Sequence, residues 1–163
     1  MESLRAVANR QVVGWIRPEQ LPMAAAELLV DGHDAPSLVE LAGCSGRERS
    51  AELEQLWHRA LDELGVQQSE SESGSEEVER WALHDIAARL ASGEIRSMPE
   101  VMAAANGLDG AEGEAELRFL RAVREGCCEG CVTEQATAGG SEPFAAWEAQ
   151  VRAAAAALVA GRR

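Results

Sequence analysis

Residues 126–131 read Gly-Cys-Cys-Glu-Gly-Cys, so three of the chain's four cysteines fall within five residues. Cys128 and Cys131 have C-x-x-C spacing, which supplies two thiolates on one tight turn, and Gly130 suits that turn. A tetrahedral zinc site needs four Cys or His ligands. Cys127 and Cys44 complete a candidate ligand set, and His33, His58 and His84 are the other soft donors in the chain. Zinc modules usually pair such a knuckle with a second C-x-x-C or with two closely spaced histidines. This sequence holds neither, so two ligands would come from isolated positions. Cys127, Cys128, Cys131 and Cys44 therefore mark a zinc site as the alternative reading.

Redox chemistry fits the same cysteines less well. A reactive C-x-x-C sits at a helix N-terminus, where the positive end of the dipole lowers the thiol pKa. Here the cluster follows a helical segment ending near Glu125, at the negative end, with Glu125 and Glu129 beside it. Small thiols filling a crowded loop are the plainer reading.

The remaining combinations are thinner. His33-Asp34 with Ser37 invites a triad, but neighbouring residues need not face one another, and no G-x-S-x-G elbow exists. Asp34 is better placed to cap a helix beginning near Pro36. Glu54 and His58 stand four apart, whereas helical di-metal sites use E-x-x-H; His58 lies off the apolar stripe and reads as partly exposed. Trp15, Trp57, Trp81 and Trp147 fall on four expected helices and read as core anchors, with a Trp-lined cleft as the alternative. Arg118, Arg121 and Arg124 form a short basic strip expected to pair with Glu112, Glu114 and Glu116. No glycine-rich phosphate loop accompanies it.

The elements that would position these residues all read as helices, and no segment alternates with the period of a strand. In residues 45–65, Leu53, Leu56, Trp57, Ala60, Leu61 and Leu64 form one apolar stripe. Ser45 with Glu48 has capping-box spacing, and Gly65 supplies the stop. The last helix is expected from Ser141 to Gly161, with Pro143 in its first turn and Phe144, Trp147, Val151, Ala154, Ala155 and Leu158 inward. Helices are further expected within 2–15, and over 20–31, 35–42, 77–92, 98–106 and 111–125, with capping-box spacing at Ser97/Glu100 and Asp109/Glu112. Gly and Pro punctuation recurs 61 to 64 residues apart, in keeping with two related three-helix units. Between them, residues 67–77 are acidic and lack an apolar anchor, so a flexible loop is expected. The fold class is all-α: one domain over 1–163, a bundle of about seven to eight short and medium helices.

The stretch from Met23 to Gly65 carries an Ala/Leu helix ending in Asp-Gly-His-Asp, then Ala-Pro-Ser-Leu, then a long helix closing on Glu-Leu-Gly. It resembles a helical segment of small uncharacterised proteins of high-GC bacteria. The resemblance implies an all-helical fold and no activity.

Composition narrows the function. The chain has 163 residues, 46% of them hydrophobic, which suffices for a core without staples. All 15 basic residues are arginine, against 28 acidic ones, for a formal charge of −13. Such a surface repels nucleic-acid phosphates and anionic membranes and attracts basic partners. The N-terminus has no basic segment followed by an apolar run, so no signal peptide is expected and a cytoplasmic location follows. The reading leans away from an enzyme. It favours an acidic helical protein-interaction module (an adaptor, regulator or neutraliser of a basic partner) with no cofactor, and a zinc- or thiol-dependent protein is the alternative.

Overall fold

The computed structural model describes residues 4–66, 72–126, 131 and 141–161, with the side chains of 72–75 excepted. Every regular element among them is helical. In order these are α1 (Leu4–Val12), a 3-10 turn (Pro18–Gln20), α2 (Leu21–Val30), α3 (Pro36–Ala42), α4 (Ser50–Glu63), α5 (Glu72–Ser92), α6 (Met98–Ala105), α7 (Glu114–Arg124) and α8 (Glu142–Ala160). The chain divides into two units, Met1–Gly74 and Ser75–Arg163.

In the first unit, α2 packs on α3 and α3 on α4. The stripe anticipated on α4 is its buried face: Leu53, Leu56, Trp57, Ala60 and Leu61. Trp57 is wholly buried and joins Leu21, Leu28, Leu38 and Leu41 in one core, to which α1 adds Leu4, Val7 and Ala8. Gly65 closes α4 at φ 71°, and the Val66 amide reaches back to the Leu61 carbonyl at 2.9 Å. This is a left-handed helix stop of the expected kind.

Three local expectations in this unit are corrected. Ala35, not Asp34, occupies the N-cap of α3. The free amide there is instead satisfied from α4: the Ser37 amide donates to Glu63 Oε2 at 2.9 Å and the Ser37 hydroxyl to Oε1 at 2.7 Å. Ser45 and Glu48 do pair, at 3.0 Å from both the Ser45 amide and hydroxyl, but they close a loop turn. Helix α4 starts five residues later than Ser45, with Arg49 extended at its N-cap. Trp15 lies beyond the end of α1 rather than on it.

In the second unit α6 packs on α7 and α7 on α8. Ala82, Leu83, Ile86, Ala87 and Leu90 form the buried side of α5, and Phe119, Leu120 and Val123 that of α7. Val151, Ala154, Ala155 and Leu158 are the buried residues of α8. Phe144 and Trp147 are half-buried; the Trp147 indole donates to the Ala122 carbonyl at 2.8 Å. Helix α5 begins at Glu72, within the segment expected to be a loop, so 72–77 are helical and 67–71 lie outside the described residues.

Candidate functional site

The densest polar constellation among the described residues gathers around Glu116, on the first turn of α7. Its position follows from local helix chemistry. The first amides of a helix lack intrahelical partners, and a Glu three residues past the N-cap can fold back onto them. Gly113 is the N-cap. Glu116 Oε2 accepts from the amides of Gly113 at 2.9 Å and Glu112 at 3.0 Å. The sequence pairs Asp109 with Glu112 for this task; the structure moves the box four residues on.

What sets Glu116 apart from an ordinary capping residue is its burial, at 4% exposure, which would strand a charge unless other donors reached it. Helix α5 supplies them. His84 Nε2 lies 2.8 Å from Glu116 Oε1. Because a carboxylate only accepts, that ring nitrogen carries the proton. The Arg80 guanidinium reaches the same oxygen at 3.3 Å through Nη2 and 3.4 Å through Nε, and its Nη1 donates to Glu112 at 2.8 Å. Directly before Arg80 on the helix, Glu79 Oε2 accepts from the amides of Asp109 and Gly110, both at 2.8 Å.

Burial works to raise the Glu116 pKa, but the amides of Gly113 and Glu112, then His84 and Arg80, outweigh it and bring it down to about 2. The same contacts raise the Arg80 pKa, the hydrogen bond to Glu116 foremost and then the charges of Glu116 and Glu112. A carboxylate so completely donated to keeps its charge and has little lone-pair capacity left for a substrate proton. Chemically the arrangement is a latch that holds the 109–113 loop and α7 against α5. His84 Nδ1 is buried and has no hydrogen-bond partner among the described residues.

The candidate cysteines are distributed differently. Cys44 is half-buried just past α3, a free thiol whose sulfur lies 3.5 Å from the Glu40 carbonyl. Burial raises its pKa first, and the charges of Glu48, Glu40 and Glu52 raise it further. Cys131 is exposed. Cys127 and Cys128 lie outside the described residues. Among the described residues no group of three or more His, Cys, Asp or Glu side chains is arranged to hold a metal ion. His58 is exposed on α4.

No protein-family model, curated protein or solved structure matches this chain.

The basic strip on α7 is only partly as expected. Arg118 pairs with Glu114 at 2.7 Å. Arg124, eight residues past Glu116 and so out of helical pairing range of it, turns instead to Asp109 and to the Leu108 carbonyl. Arg121 remains exposed beside Leu117, Leu120, Arg124 and Glu125 around a shallow hollow. Acidic side chains are arranged in the opposite sense in the first unit. Between Arg17 and Arg47 the chain carries Glu19, Glu27, Asp31, Asp34 and Glu40 and no arginine at all. The carboxylates of Glu27, Asp31 and Asp34 make no ion pair or side-chain hydrogen bond among the described residues, whereas elsewhere in this unit Glu19 pairs with Arg17, Glu40 with Arg59 and Glu63 with Ser37. No described helix is long and apolar enough to cross a membrane.

Proposed function

We propose that the protein is a non-catalytic acidic helical module that binds a basic protein partner. The observation that carries the reading is the group of unpaired carboxylates on α2 and the turn after it. In the second unit the buried one and its neighbours are engaged by arginine, histidine and backbone amides. In the first unit Glu27, Asp31 and Asp34 stand without an ion-pair partner among the described residues, although Glu19 and Glu40 have one. Unpaired surface carboxylates raise the local negative potential, which steers a cationic partner and favours it over an anionic one. The formal charge of −13 extends the same field over the whole chain.

A matched pair of labelled helical peptides tests this: one of Leu, Ala and Lys, its counterpart of Leu, Ala and Glu, each about 18 residues so that a helix can form. Titration of the full chain by fluorescence anisotropy is expected to show binding of the lysine peptide alone. That binding should weaken steadily as NaCl rises from about 50 mM to about 300 mM, as the Debye length shortens. Equal affinity for the two peptides, or no binding of the lysine peptide at low salt, overturns the proposal.

A further inference from the structure

Helix α2 buries Leu21, Ala24, Ala25 and Leu28 and turns the opposite face outward. On that outward face Met23, Glu27 and Val30 follow one another at i, i+4 and i+7, which places them in one line along the helix. Solvent-facing positions of a helix are ordinarily polar. Here Met23 is 67% exposed and Val30 is 87% exposed, the most exposed large apolar residue among those described. Of the five exposed large apolar residues among those described, four (Val12, Met23, Val30 and Val39) belong to the first unit. Glu27 lies between the two apolar residues, exposed and without an ion-pair partner among the described residues.

We infer that the outward face of α2 is the docking surface, and that its occupant is a cationic amphipathic helix. The inference rests on the basic-partner reading above and names where and how that partner is held. Met23 and Val30 are two turns apart, about 10 Å along the axis at 1.5 Å per residue. A partner helix running alongside offers the complementary series: an apolar residue, a Lys or Arg between, and a second apolar residue seven positions from the first. This is helix recognition by heptad-spaced anchors with charge pairing alongside. Charge complementarity selects the occupant. Glu27, Asp31 and Asp34, on α2 and the turn after it, carry no arginine partner among the described residues, so a second copy of the same face is repelled, and an acidic or neutral helix leaves Glu27 unmatched.

The test places Met23→Glu together with Val30→Glu in the full chain and titrates it with the lysine peptide. Both positions are exposed, so far-UV circular dichroism and Tm should stay at the wild-type values; Met23→Ser with Val30→Ser serves as a second, charge-neutral variant. The two directions of change are diagnostic. Added glutamates strengthen a simple attraction between opposite charges but remove the apolar seats. Seating on α2 predicts that both double variants bind at least about tenfold more weakly, a difference of about 1.4 kcal/mol. Leu117→Glu, on α7 of the second unit, should leave affinity within about twofold. If the lysine peptide binds wild type and both double variants alike, or the glutamate variant more tightly, the face is wrongly assigned while the basic-partner reading stands. If wild type does not bind the peptide at all, the reading itself fails. Sedimentation equilibrium showing a wild-type dimer that the double variants abolish gives the face to a second copy and overturns the inference.

Discussion

Glu116 shows how a single buried charge organises its surroundings. It accepts from two backbone amides at the start of α7 and from two side chains of α5, and its carboxyl is held at about 2 against an ordinary value of 4.5. A carboxyl depressed in the folded state adds stability that is fully present above its unfolded pKa and disappears as pH falls through the folded one. The contribution of Glu116 should therefore be complete above about pH 4.5 and lost between 4.5 and 2. Glu116→Gln keeps the shape and removes the charge. It is expected to destabilise by about 2–3 kcal/mol at pH 7, since charge-assisted hydrogen bonds contribute about 1.5–3 kcal/mol. The variant should also flatten the acid limb of the stability curve over that window, as read by urea denaturation at stepped pH; an unchanged acid limb would mean that the latch does not titrate as described. Cys44 supplies a second prediction. Burial and the charges of Glu48, Glu40 and Glu52 raise its thiol, so in a chain with Cys127, Cys128 and Cys131 changed to Ser it should react more slowly with iodoacetamide than free glutathione. Glu48→Gln should speed that alkylation, followed by intact mass.

The helices themselves were largely legible, and the misassigned caps of α3 and α7 share one cause. Apolar spacing located the buried faces of α4 and α8 because those faces repeat every three to four residues whatever they pack against. Capping residues differ from the expected ones where an amide is satisfied by a distant residue, although α3 itself begins at Pro36 as its sequence indicates. Glu63 at the end of α4 holds Ser37 of α3, and Glu79 of α5 holds the loop before α7. Neither partner is near in sequence, so Asp34 and Asp109 looked like the caps. Glu116 had a local signal, a glycine three residues before it, but its burial came from Arg80 and His84, thirty-six and thirty-two positions away. Ser45 and Glu48 were legible as a pair and not as a loop, since nothing in their spacing shows that Gly46 lies against another segment. Gly46 has φ 77°, and a Cβ there would come within 2.6 Å of the Glu19 carbonyl oxygen. Gly46→Ala thus meets both a left-handed backbone penalty of about 1–2 kcal/mol and a collision with main chain. The variant should lose more than about 2 kcal/mol in chemical denaturation, with the loss confined to the first unit by amide exchange; a loss of only about 1 kcal/mol would show that the loop moves away from the 3-10 turn, and one below about 0.5 kcal/mol that the left-handed backbone is relieved as well.

Across the whole chain, 28 acidic residues face 15 arginines, and the two populations respond to salt in opposite ways. Paired groups such as Arg118–Glu114 and Arg152–Glu148 are exposed or partly exposed, and screening weakens them. Unpaired carboxylates repel one another over longer distances, and screening relieves that repulsion. Exposed pairs contribute about 0–1 kcal/mol each, whereas the excess of thirteen negative charges acts at every separation within the Debye length, which falls from about 20 Å at low salt to under 5 Å near 0.5 M. Repulsion should dominate. Stability in urea is therefore expected to rise between about 20 mM and about 500 mM NaCl, while affinity for a cationic helix falls over the same range. Those opposite slopes separate the two consequences of one charge distribution. A general weakening of the fold by salt would lower both together, and would mean that internal ion pairs, not unpaired carboxylates, govern the electrostatics of this chain. Arg80→Gln sharpens the comparison because it removes the cation shared by Glu112 and Glu116. It should lower stability at every salt concentration and steepen the gain on adding NaCl, leaving peptide affinity at α2 unaltered.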